Sequence, residues 1–189
     1  MYTRVKQTHV LEIQHNPGSI KAGVFNSRSA MEMKEHEKFM RMAIELSEQN
    51  LKGAAGGPFG AVVVKNGEVV AASANKVIQQ NDPTAHAEVS AIRLACQQLA
   101  TYDLTGCVIY TSCEPCPMCL GALYWAHIDT IYYGNTKVDA AEIGFDDHFI
   151  YQELELPMHQ RKLQIIQLLR DEAISTFKLW AGSESKRDY

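Results

Sequence analysis

The chain has no run approaching the roughly 18–20 apolar residues a membrane helix needs, and its first 30 residues hold no continuous apolar core of the secretory kind. A cytoplasmic protein is expected. Excess positive charge is also missing. With 18 Lys and Arg against 22 Asp and Glu the formal net charge is −4, so nothing attracts a phosphate backbone globally. Small substrates are therefore favoured, with no nucleic acid and no membrane as partner. Cysteine is scarce, and its odd, uneven set (Cys96, Cys107, Cys113, Cys116, Cys119) argues against a disulfide scaffold and for reduced thiols, some of them on metal. Repeats and low-complexity segments are absent. A composition 46% hydrophobic and 21% charged excludes a largely disordered chain, and 189 residues suit one domain with a substantial core.

Residues 1–34 show no sustained periodicity and contain the loop-like run Asn16-Pro17-Gly18-Ser19, so they read as an appended arm ahead of a domain spanning 35–189. Met31 and Met33 stand just before the regular pattern, so either an upstream extension or an overlong start fits the sequence. Phe39, Met42, Ala43 and Leu46 then recur at helical spacing. Gly60 to Ala71 reads as two strands joined at Asn66-Gly67 by a type I′ turn. Asp82-Pro83-Thr84 signals the start of a helix whose buried face is Val89, Ile92, Ala95 and Leu99, placing His86 and Glu88 in its first turn. Cys107 to Ser112 reads as a strand, Pro115 or Pro117 opens a helix through Trp125, and Asp129 to Tyr133 reads as a further strand. Val138 to Glu142 and Asp171 to Trp180 read as helices, and Lys162 to Leu169 as either strand or helix. Strands alternating with helices predict a three-layer α/β sandwich around a mixed sheet, with the two helices bearing His86 and Cys116/Cys119 side by side on one face.

His86-Ala87-Glu88 and Pro115-Cys116-Pro117-Met118-Cys119 carry the chemistry. A lone helical His is more often structural, and buried free Cys is common. Together, however, His86, Cys116 and Cys119 are three zinc donors that leave the fourth tetrahedral position open for water, as a catalytic zinc does and a structural one does not. Cys113 is the only nearby fourth donor; it precedes the helix-starting proline and is expected to be free. A redox Cys-x-x-Cys is disfavoured by the prolines before Cys116 and Met118. Zinc would bring a water's pKa towards about 7, and Glu88, beside the ligand His, could collect its proton and return protons to a ring nitrogen and a leaving amine. Hydrolytic loss of ammonia from an amidine-like carbon is the reaction this serves. Taken alone, Glu88 is also an ordinary acid at a helix N-terminus.

The spacing H-x-E with P-C-x-x-C is that of the zinc-dependent nucleobase deaminases. From residue 35 onwards the chain resembles the bacterial guanine deaminases of the cytidine deaminase-like superfamily. The resemblance rests on Gly56-Gly57-Pro58-Phe59-Gly60-Ala61, Asn81 to Glu88, Thr111 to Ala122, and Ile143-Gly144-Phe145-Asp146-Asp147. It implies the cytidine deaminase-like α/β/α sandwich, one Zn2+ per subunit on His86, Cys116 and Cys119, and attack of zinc-activated water on C2 of guanine with Glu88 as proton shuttle, giving xanthine and ammonia. It further implies that Asn75 hydrogen-bonds the purine, that Phe59 and Trp125 line the base pocket, and that Ala87 offers its backbone N–H. Asp147 would be a second carboxylate facing the exocyclic amine, and Tyr189 would close the site of a partner in a homodimer with swapped C-terminal segments. Each has a plain alternative: Asn75 as a turn residue, Phe59 and Trp125 as core, Asp147 as a loop acid, and the tail around Tyr189 as disordered.

Guanosine, cytosine and guanine-like triazines are the nearest rival substrates. A tRNA adenosine deaminase would share the zinc motifs but needs basic surface, against which the net charge and the Gly144-Phe145-Asp146-Asp147 segment argue. A non-catalytic zinc-stabilised interaction domain would have no use for Glu88.

Overall fold

In a computed structural model of the chain, residues 26–53 and 56–187 are described. Among the described residues four strands form one mixed sheet in the spatial order 68–74, 60–65, 107–113, 130–135. Strand β1 (Gly60–Lys65) is buried along nearly its whole length, as its Ala-Val-Val-Val run requires of a central strand covered on both faces. It turns through Asn66 (φ 53°) and Gly67 (φ 79°) into β2 (Glu68–Ala74), an antiparallel edge strand. Two successive positive φ angles make this the expected I′ turn, which Asn-Gly tolerates best. On its other side β1 pairs antiparallel with β3 (Cys107–Cys113), which pairs parallel with β4 (Thr130–Asn135).

Alternation along β1 divides the core in two. Val62 and Val64 face helix α1 (Asn26–Lys52), packing with Phe39, Ala43 and Tyr110. Ala61 and Val63 face the opposite layer, with Ile109 and with helices α3 (Ala87–Leu99) and α4 (Pro117–Trp125). In α3 a stripe of small residues, Ala87, Ala91 and Ala95, is wholly buried at i, i+4, i+8 spacing and lets the helix lie close to the sheet. Gly60 does the same for α1, because a Cβ there would run into the Ala43 carbonyl and lie 2.8 Å from Leu46 Cβ. The result is the expected three-layer sandwich, with α3 and α4 adjacent on one face.

Several boundaries differ from expectation. Helix α1 begins at Asn26, so its first turns fall inside the stretch read as an arm; residues 1–25 lie outside the described residues. Asp82 does not start α3. Its carboxylate accepts from the backbone N–H and the hydroxyl of Thr84, closing a local turn, after an unexpected short helix α2 (Val77–Gln80). Beyond β4 come α5 (Lys137–Glu142), an unexpected α6 (His148–Glu155) and α7 (Arg170–Ala181). Lys162 to Leu169 is neither strand nor helix. Its apolar side chains are exposed, Ile166 and Leu168 at 80% each, so no sheet or core among the described residues fixes their backbone. Among the described residues no helix is long and apolar enough to cross a membrane.

Candidate metal centre and cleft

The two metal-ligand segments meet because α3 and α4 start side by side. His86 is the N-cap of α3 and Cys116 the N-cap of α4, both extended (ψ 158° and 167°), with Pro117 as the first residue of α4. Each ligand therefore sits just before a helix, one residue earlier than a place in its first turn, where unpaired N–H groups and the positive end of the dipole favour thiolate and other anions. Cys119 follows one turn along α4, wholly buried.

His86 Nδ1 stands 3.6 Å from Cys116 Sγ and 3.5 Å from Cys119 Sγ, and all three donor atoms lie within 4.8 Å of one another. A tetrahedral zinc with bonds of about 2.3 Å to sulfur and about 2.0–2.1 Å to nitrogen sets its N···S edges at about 3.6 Å. The donor set fits the ion in type and in spacing. The thiols themselves call for a cation: Cys116 is brought down to about 4 by the hydrogen bond from Cys119, helped by His86, while Cys119 is pushed up because it supplies that hydrogen bond and is buried. A dication in place of the shared proton would serve both sulfurs. The same contact with Cys116 raises His86, against the effect of its burial.

Over this centre opens a cleft of about 380 Å³. Glu88, second residue of α3 and only 6% exposed, lies in its wall beside the ligands. Burial, reinforced by the Cys116 thiolate, holds its carboxyl above the usual range. Asp147, at the N-terminus of α6, lines the cleft too and is raised by partial burial and then by Cys116. Asn75 is buried at the end of β2. Its Oδ1 accepts from the Val77 N–H at 3.2 Å, which identifies that atom as the oxygen and leaves the NH2 for the cleft. Asn75 thus both closes a local turn and lines the cleft. Phe59 lines the cleft with its ring edge-to-face with Phe145, centroids 4.9 Å apart. Ala87, first in α3 and fully buried, carries one of the N–H groups that lack an intrahelical acceptor.

Trp125 is not brought to the cleft within the chain. It ends α4, about 13 Å of helix beyond Cys116, and is 70% exposed. Tyr189 lies outside the described residues. Cys113 is a free thiol that lines the cleft, is raised to about 11 by burial, and donates to the Thr136 carbonyl. Sequence reasoning overlooked Glu114 and Lys137. The Glu114 carboxylate accepts from the Lys137 N–H at 3.1 Å, tying the end of β3 to the start of α5, and Lys137 Nζ lies 4.4 Å from the Tyr151 ring centroid. Glu114 stands inside the motif already singled out; Lys137 carries no local signal.

Residues 33–135 match the family model described as the cytidine and deoxycytidylate deaminase zinc-binding region. The chain is 48% identical over 154 residues to guanine deaminase of Bacillus subtilis (strain 168), covering 82% of this chain and 99% of that protein. The crystal structure of the Bacillus subtilis guanine deaminase superposes with a TM-score of 0.79 over 82% of this chain and 98% of that one. Guanine deaminase from Nitrosomonas europaea is 36% identical, with a TM-score of 0.55 over 58% of this chain and 63% of that one. The tRNA-specific adenosine deaminase of Agrobacterium fabrum is 45% identical, but only over 89 residues, 46% of this chain and 59% of that protein.

Proposed function

The chain belongs to the cytidine and deoxycytidylate deaminase zinc-binding family, among its guanine deaminases, and from that premise we propose that it hydrolyses guanine to xanthine and ammonia at the His86–Cys116–Cys119 centre, with Glu88 carrying the protons. The observation that carries the substrate is one of extent. Likeness to the Bacillus subtilis guanine deaminase runs through essentially that whole protein, whereas likeness to the Agrobacterium fabrum tRNA deaminase stops after 89 residues.

His86, Cys116 and Cys119 would hold one zinc ion per subunit. When bound, zinc lowers the pKa of a water in its fourth position and so supplies a nucleophile at neutral pH. Glu88 takes the proton released as water adds to C2 and delivers it to N3. It then takes the remaining proton from the C2 hydroxyl and passes it to the amine; C2=O forms as the C2–N bond breaks and ammonia leaves. Burial raises the Glu88 carboxyl and so favours its protonated form, the form that gives a proton to N3 or to the amine. Asp147, which lines the same cleft, faces the exocyclic amine and assists its departure. Asn75 presents its NH2, and Ala87 its N–H, to acceptors on the base, while Phe59 packs on the ring. Such polar partners reject a base that leaves them unpaired, which separates guanine from adenine.

The working unit in this proposal is a dimer with exchanged C-terminal segments. Phe177 and Leu179 of α7 are 73% and 75% exposed, and with Ile166 and Leu168 they form an apolar tail that a second copy would cover. Tyr189 then closes the partner's cleft against water. The compartment is proposed to be the cytoplasm, where Cys116 and Cys119 stay reduced for metal.

The test is ammonia release from zinc-loaded protein given guanine, guanosine, adenine, cytosine or a tRNA anticodon stem. Guanine is expected to be turned over fastest. Preference for the tRNA or for cytosine would overturn the assignment.

A further inference from the structure

We infer that Asn50, on the last turn of α1 and outside the cleft, is a positioning residue that aims the base-binding groups of its upper wall. The inference rests on the proposed role of Asn75 at the base. Asn50 is 8% exposed, and its single amide nitrogen donates to two main-chain carbonyls far apart in sequence, Gly57 O at 2.8 Å and Asn75 O at 3.0 Å. Both acceptors belong to the cleft wall, and both residues line it.

Each carbonyl leads onward to a group that meets the base. Gly57 O also accepts from the Phe59 N–H at 2.8 Å, fixing the short turn from which the Phe59 ring projects. Asn75 is held at three further points: its N–H donates to Phe59 O at 3.0 Å, its Oδ1 accepts from Val77, and Gly56 lies against it so closely that a Cβ there would come within 2.6 Å of Oδ1 and 2.8 Å of the carbonyl. That same Cβ would stand 3.2 Å from Asn50 Nδ2, so the glycine makes room for this one cluster. With its main chain and Oδ1 tied down, Asn75 has one direction left for its NH2. Asn50 joins the two strands of wall, 57–59 and 75–77, through one rigid planar group. Neither of its two hydrogen bonds goes to a metal ligand, so its removal loosens base binding and leaves the proton chemistry in place.

The test is a double-mutant cycle on the zinc-loaded enzyme, reading kcat and KM for guanine. Asn50→Ala removes both donors; Asn50→Asp keeps the side chain's size but turns an oxygen towards the two carbonyls, and so serves if the alanine variant folds poorly. Loss of two neutral hydrogen bonds that orient a binding group should raise KM about 10-fold with kcat changed less than about 3-fold. In an Asn75→Ala background the same substitutions should raise KM less than about 2-fold, because the group they aim is gone. An equal rise in both backgrounds, or unchanged KM with only a lower melting temperature, overturns the positioning role and leaves Asn75 as the base ligand. If Asn75→Ala alone leaves KM unchanged, the reading of Asn75 is what fails, and the role of Asn50 falls with it.

Discussion

Glu88→Gln is the substitution that most sharply separates the chemistry from the scaffold. Gln fills the same volume in a site only 6% exposed, so the packing of α3 against the sheet is kept and no cavity opens. His86, Cys116 and Cys119, the donors within 4.8 Å of one another, are untouched, and zinc should remain at one per chain by elemental analysis. What disappears is a group that can take up and return a proton. A positioned acid–base group is worth about 10²–10⁴ in rate per transfer, and in the proposed mechanism Glu88 serves two. Asp147 lines the same cleft and is likewise held above its ordinary range, so it can share the departure of the amine. The first transfer, from the attacking water, is then left without its base. The expected loss is therefore about 1,000-fold or more in kcat, equivalent to about 4 kcal/mol of barrier, with KM for guanine changed little because the base-binding roles proposed for Asn75 and Phe59 are untouched. Ammonia release in a coupled assay gives the rate, and xanthine formation by ultraviolet absorbance checks it. A variant with full zinc and kcat within 10-fold of the parent would refute the proton-shuttle role. Loss of zinc with the carboxylate would mean that Glu88 maintains the centre and does not merely work beside it.

Other perturbations probe the frame around the site. Gly60→Ala places a Cβ against the Ala43 carbonyl and Leu46; it should cost about 1–3 kcal/mol in denaturant unfolding through forced separation of α1 from β1, and unchanged stability would show that the helix can shift freely. Tyr110 packs parallel to Tyr132 with centroids 5.1 Å apart, has its hydroxyl 2.6 Å from His36 Nδ1, and is pushed up to about 12 by burial. Its folded pKa stands above the ordinary value near 10, so its contribution is whole below about pH 10 and is lost as pH rises through about 12; Tyr110→Phe should flatten the decline in unfolding midpoint across that window, and an unaltered slope would refute the assignment. Removing residues 170–189 should give a monomer by light scattering, while deleting Tyr189 alone should lower kcat and leave the dimer; undiminished activity after that deletion would dispose of the lid.

How much of the fold could be read beforehand depended on whether the deciding forces are local. The hairpin was legible because a two-residue turn needs positive φ twice, and Asn66-Gly67 is a pair that accepts it. Strand β1 was legible because only a central strand tolerates Ala-Val-Val-Val buried on both faces. The start of α3 was misread because Asp82 has a helix-capping side chain that is spent on Thr84 instead, two residues along. Helix α6 was missed because its N-cap Asp147 makes no capping hydrogen bond; the first N–H of the helix, that of His148, goes instead to the Asp146 carboxylate, two residues back. Lys162 to Leu169 fitted strand and helix alike, and neither forms because Ile166 and Leu168 are exposed, with no packing partner among the described residues to fix one or the other.

The site divides along the same line, and the division explains why the metal ligands were plain while Asn50 was not. His86 with Glu88 and Cys116 with Cys119 stand two and three residues apart at the start of one helix each, so the spacing that identifies them is also the spacing that places them. Asn50 has no such partner. By local rules it is a polar residue near a helix end, equally suited to capping or to solvent. Its acceptors become neighbours only when β1 pairs with β2 in the register that sets Gly60 opposite Ala74, which brings residues 57–59 beside Asn75, and when α1 lies close enough over Gly60 for an amide to reach both. A substitution at Gly60 therefore bears on substrate affinity as well as on stability, since lifting α1 from β1 withdraws Asn50 from Gly57 and Asn75 together; Gly60→Ala should raise KM for guanine along with its cost in unfolding free energy, and do so much less once Asn50 is already alanine.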